Sequence, residues 1–78
     1  MRLILVGRVL EVFEGEKSKY VTMNDTELGG QVKLNFPLSA DVKLDSLVNL
    51  DAMVKPGIGK FGQMLVIERL NKPKEGGN

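Results

Sequence analysis

A chain of 78 residues with no cysteine, no histidine and a formal net charge of +1 supports one domain and few kinds of chemistry. The absences exclude a disulfide framework, a cysteine-based zinc site, and any nucleophile pair or proton shuttle built on imidazole. Eleven basic and ten acidic side chains lack the global basic footprint of a tight duplex binder, so an anion-binding site must come from local clustering.

Period-two apolar patterning, β-branched residues and glycine punctuation predict strands along most of the chain. The first covers Arg2 to Phe13, with Gly7 in its middle. Its apolar residues fall on both faces: Ile4, Val6, Leu10 and Val12 on one, Leu3, Leu5, Val9 and Phe13 on the other. A long strand of this kind, interrupted by glycine, suits a bend across two sheets. After the polar loop EGEKSK comes a second strand, Lys19 to Asn24, with Val21 and Met23 on one face and Tyr20 and Thr22 on the other. Asp25 to Gly30 reads as a turn, with Gly29 and Gly30 suited to positive φ.

The third strand, Gln31 to Phe36, turns Val32, Leu34 and Phe36 inward, and Pro37 ends its ladder for want of an N–H. Ser39 to Ser46 has room for one helical turn or a plain loop. A fourth strand, Leu47 to Val54, carries Val48, Leu50, Ala52 and Val54 on its core face. KPGIGKFG reads as a hairpin connection, and the fifth strand runs from Phe61 to Leu70. The tail NKPKEGGN is polar and glycine-rich.

Five strands, the first long and bent, with little helix, predict an all-β fold. The expected form is a small five-stranded OB-fold-like barrel over residues 1–72, with 73–78 as a flexible tail. Closure removes the unpaired edges of a short open sheet, and an SH3-like barrel is the structural rival. A domain this small hides only about 60% of the surface its unfolded chain exposes, so pairing into a homodimer is expected. MRLILVG is too short an apolar start for a signal peptide, and no run of about 18 apolar residues predicts a membrane span. A soluble, cytoplasmic protein is the expectation.

Binding rather than catalysis is expected, with no cofactor and no metal. No acidic residue lies in an apolar setting that would raise its pKa, and Glu11, Glu14 and Glu16 read as a solvated strand edge. Tyr20, with Lys17 and Lys19 close by in sequence and Thr22 on its own face, is a candidate for stacking an unpaired base while ammonium groups meet phosphates. The alternative is a half-buried strand tyrosine without a ligand. Lys33 on the neighbouring strand extends the same surface. Phe61, between Lys60 and Gly62, is either an exposed stacking ring or a plug for one mouth of the barrel. Gly57, Gly59 and Gly62 lie between strands with no following helix, so they are not a phosphate-binding loop; they suit a tight, mobile hairpin. Arg69, with Lys72 and Lys74 beyond it, either continues a phosphate track or solubilises a terminus.

The segment GKFGQMLVIERLNKPK, Gly59 to Lys74, resembles the C-terminal part of the filamentous-phage gene V family of helix-destabilising single-stranded DNA-binding proteins. The matching features are Gly59, Phe61 and Gly62, then the apolar run Leu65 to Ile67, then Glu68-Arg69-Leu70, then Pro73. KSKYVT, Lys17 to Thr22, is similar to the family's basic wing with its exposed tyrosine. The resemblance implies an OB-fold homodimer that coats single-stranded DNA with little sequence preference during phage or plasmid replication. It implies stacking by Tyr20 and by Phe61 from the partner's hairpin, phosphate contacts from Arg69 and Lys33, and Met64, Leu65 and Ile67 divided between core and dimer interface. The chain departs from the family in one extra residue between Phe61 and Arg69, in Asn71 where a second arginine is usual, and in Glu14 and Glu16 in the wing.

The expected ligand is therefore single-stranded DNA, bound through Lys17, Lys19, Tyr20, Thr22, Lys33, Lys60, Phe61 and Arg69. Two other readings stay open: a small barrel that docks a protein segment, and single-stranded RNA in the same groove.

Overall fold

The computed structural model describes residues 1–27, 29–59 and 62–71. Five strands build it: β1 (Arg2–Glu14), β2 (Ser18–Asp25), β3 (Gln31–Pro37), β4 (Leu47–Gly59) and β5 (Gly62–Leu70). They close a barrel in the order β1-β2-β3-β5-β4. Neighbours are antiparallel except β3 and β5, which run parallel. The chain is an all-β, small five-stranded OB-fold-like barrel, and no helix occurs among the described residues. Residues 38–46 form turns and loop rather than a helical turn. The tail expected at 73–78 lies outside the described residues.

Alternation places the core. Leu5 and Val9 of β1, Val21 and Met23 of β2, Leu34 and Phe36 of β3, Leu50, Ala52 and Val54 of β4, and Ile67 of β5 are all buried, with Ala40 joining from the loop. Burying each larger side chain of this kind contributes roughly 1.5–3 kcal/mol at most, since an unfolded chain already hides part of that surface.

β1 pairs on both sides within the one closed sheet rather than crossing between two sheets. Its first half pairs with β4 from Arg2 to Arg8, and its second half pairs with β2 from Gly7 onward. Gly7 takes part in both pairings. A Cβ there would lie 2.8 Å from the Asn24 carbonyl oxygen, so only glycine lets the two strands come this close at the crossover.

Beyond the crossover the register shifts: Val9 faces Met23, but Glu11 faces Thr22, leaving Leu10 as an extra residue. The bulge corrects the face assignment made from strict alternation. Val12 packs against the core, and Phe13 is turned outward, 45% exposed. Unbroken alternation from Leu5 and Val9 would have sent the Glu11 carboxylate into an apolar barrel, at a cost of several kcal/mol. Displacing one residue is the cheaper arrangement.

Lys55 to Gly59 belongs to β4, paired with β5 down to Gly59 and Gly62, rather than to a connection. Pro56 is tolerated there because of its edge. Val54 N–H donates to the Met1 carbonyl, so Pro56, two residues on, turns its nitrogen to the same side, where β1 no longer runs. β5 begins at Gly62; Phe61, expected to open it, lies outside the described residues. Glu68 is a second bulged residue, between Ile67 opposite Val54 and Arg69 opposite Met53. It turns Arg69 to the outer surface.

Candidate functional site

Phe13 and Tyr20 are a cross-strand pair of β1 and β2. Their ring centroids are 6.1 Å apart and their planes are tilted by 40°. Tyr20 shares the outward face of β2 with Thr22, because Val21 and Met23 alternate with them into the core. Its half-buried ring lies between the β1–β2 turn and the β4–β5 hairpin. A methyl group on Gly15 would sit 3.2 Å from Tyr20 Cε2, and one on Gly59 would sit 3.5 Å from Cε1 and 3.0 Å from Met64 Sδ. Glycine at both points gives the ring its slot.

The two rings partition the surface into two hollows. One, of about 460 Å³, is lined by Leu10, Glu11, Val12, Phe13, Tyr20, Val21, Thr22, Lys33, Leu34, Leu44 and Met64. The other, of about 550 Å³, is lined by Glu14, Gly15, Glu16, Lys17 and Ser18 together with the same rings. In the first, Glu11, Thr22 and Lys33 form one cross-strand row over β1, β2 and β3. The lining is mostly apolar, with one carboxylate and one ammonium. Such a surface takes a flat, partly apolar ligand carrying negative charge near Lys33.

The expected site residues are therefore divided. Tyr20, Thr22 and Lys33 meet in the first groove, and Lys17 stands exposed beside the second hollow. Lys19 is turned away from both. It shares the inward face of β2 with Val21, and its Nζ donates to the Ala40 carbonyl at 2.6 Å and lies 3.8 Å from Glu14 Oε2. With 12% of its side chain exposed, it ties β2 to the 38–46 loop at one end of the barrel. Lys60 and Phe61 lie outside the described residues. Met64, expected to divide with Leu65 and Ile67 between core and dimer interface, is buried within the chain itself, against Gly59 and next to Tyr20.

Arg69 belongs to a different cluster. Its Nε donates to Asn71 Oδ1 at 3.2 Å, and Asn71 Nδ2 donates to Asp51 Oδ1 at 3.1 Å. Arg2 donates to both Asp51 oxygens, from Nε at 2.9 Å and Nη2 at 2.7 Å. The hydrogen bonds from Arg2, then that from Asn71, hold the Asp51 carboxyl down at about 2. This network clasps β1, β4 and the end of β5, and it shares no residue with either hollow.

Sequence reasoning missed Phe13 as a surface aromatic. The signal was present in Glu11, a charge where alternation demands an apolar residue, which calls for a bulge. No protein-family model, curated protein or solved structure matches the chain.

Proposed function

We propose that this protein binds single-stranded DNA with little sequence preference, as a coating protein of phage or plasmid replication of the gene V kind. One observation carries the reading: an outward pair of aromatic rings, Phe13 and Tyr20, set over a groove that ends at Lys33 on an OB-fold-like barrel. Bases released from a duplex stack on such rings while phosphates approach the ammonium, and paired bases offer no free faces to stack. The closed barrel and the tyrosine on β2 support the family resemblance, and the bulge at Glu68 accommodates one additional residue between Phe61 and Arg69 while keeping Arg69 at the surface. Homodimer formation belongs to the same proposal.

The mixed charge of the groove sets its strength. Glu11 opposes Lys33 across Thr22, so affinity rests more on stacking than on phosphate neutralisation. Anisotropy of a labelled oligo-thymidine, titrated at low and moderate salt, tests the proposal. Saturable binding that salt weakens and an equal-length duplex fails to reproduce is the expected result. Absence of binding at low salt would overturn it. The apolar lining from Leu10, Leu44 and Met64 favours, as the second reading, an apolar peptide segment as ligand.

A further inference from the structure

The barrel is closed between β3 and β5 by only two residue pairs, Leu34 with Leu65 and Asn35 with Val66, whereas β2 and β3 share seven. On one side of that short seam the strands diverge. Gln31, Val32 and Lys33 of β3 and Gln63 and Met64 of β5 then bound a cleft of about 820 Å³, with Ile58 of the hairpin as a further wall. The cleft and the groove beneath the aromatic pair share Lys33 and Met64, so the two adjoin along those side chains.

The chemistry of the cleft differs from that of the groove. Gln31 and Gln63 are both exposed, and each amide offers an acceptor oxygen and two N–H donors. Unpaired bases present mixed donor and acceptor edges that such amides match. Ile58, 85% exposed, is a large apolar surface that gains nothing in water and suits the face of a base. Lys33 is the one ionisable side chain lining the cleft among the described residues, and it stands at the junction with the groove.

The geometry points to a second nucleobase subsite in the β3–β5 cleft, filled by the nucleotide next to the one stacked on Phe13 and Tyr20. The linking phosphate crosses at Lys33, and the second base lies against Ile58 with its edge toward Gln31 and Gln63. The subsite rests on the single-strand reading above. It requires a ligand long enough to reach both hollows, with a charge between two flat groups, and a nucleic-acid strand has that form.

Affinities of a labelled thymidine dinucleotide and of a longer oligo-thymidine, measured for the unaltered protein, Tyr20→Ala and the triple variant Gln31→Ala/Ile58→Ala/Gln63→Ala, test it. All three positions of the triple variant are exposed, and circular dichroism checks that the barrel persists. The triple variant should bind the longer strand about tenfold more weakly, the loss of one stacked base. Ile58→Ala alone should reproduce part of that loss. Tyr20→Ala should weaken both ligands. If the triple variant binds the longer strand as the unaltered protein does, while Tyr20→Ala does not, the cleft serves another ligand, such as an extended peptide, and the subsite is overturned alone. If the unaltered protein binds neither ligand, the stacking reading and the subsite fall together.

Discussion

Phe13 and Tyr20 face each other across β1 and β2 only because Leu10 is an extra residue in β1. Strict alternation would place Phe13 inside the barrel with Leu5 and Val9. The bulge that keeps Glu11 in water also delivers a second ring to the surface beside Tyr20. A rule about charge burial in the fold thus builds the aromatic part of the site.

Truncating the rings should separate binding from folding. Tyr20→Ala is expected to weaken oligo-thymidine binding by roughly 5-fold to 150-fold, the range of one lost base stack. Phe13→Ala should weaken it less, through loss of the ring that supports Tyr20. Each loses a ring contact of about 0.5–1.5 kcal/mol, so both proteins should still melt cooperatively. An unfolded Tyr20→Ala protein would show instead that the ring is a structural wedge between Gly15 and Gly59.

The two lysines of neighbouring strands should behave oppositely. Lys33→Ala should lower the slope of log affinity against log salt by about one, with the melting temperature unchanged. Lys19→Ala removes the charged donor to the Ala40 carbonyl and should cost about 1–2 kcal/mol of stability, leaving the salt slope as it was. Denaturant titrations and salt-dependent anisotropy on both variants decide the assignment.

Acid should loosen the clasp between β1, β4 and β5. Asp51 is held at about 2 in the folded chain, below its ordinary 3.8, by hydrogen bonds from Arg2 and Asn71. A depressed carboxyl contributes stability that is complete above its unfolded pKa and lost as pH falls through its folded one. Its contribution should therefore fade between about pH 4 and pH 2. Melting curves of the unaltered protein and Asp51→Asn should converge across that window. A gap that persists below pH 2 would assign the difference to packing.

Two glycines should respond differently to alanine. At Gly7 the added methyl meets the Asn24 backbone carbonyl at 2.8 Å, which cannot move without shifting β2. Gly7→Ala should destabilise the barrel by about 1–3 kcal/mol. At Gly59 it meets the flexible end of Met64 at 3.0 Å, so Gly59→Ala should fold nearly as well. Its effect should appear in ligand affinity, because Met64 lines the groove beside Tyr20. Chemical denaturation and anisotropy together separate the two outcomes.

Local pattern was enough to find all five strands, the core faces of β3 and β4 and the outward face of Tyr20, Thr22 and Lys33. Each of these follows from period-two burial within a single strand, which neighbouring residues determine. The hairpin was harder to place. Lys55 to Gly59 carries proline and glycine and reads as a connection, yet it pairs as strand because β4 there has a free edge that asks nothing of the Pro56 nitrogen.

The fate of the cations was not legible in the same way. Lys17, Lys19, Lys33 and Arg69 look alike as charges along a chain, and adjacency in sequence groups Lys19 with Tyr20. Successive residues of a strand point to opposite faces, and Lys19 finds the Ala40 carbonyl, contributed by a loop twenty-one positions away. Arg69 is claimed by Asn71 and the Asp51 network.

By itself the sequence determined that this is a small all-β barrel without imidazole or thiol chemistry, because those properties depend on composition and on patterns a few residues long. Only the tertiary structure decided which residues share the surface: that Phe13 joins Tyr20, that Lys33 joins groove to cleft, and that Lys19 and Arg69 stand apart. Those relations depend on strand register and on where the barrel closes, and one extra residue at Leu10 or Glu68 is sufficient to change them.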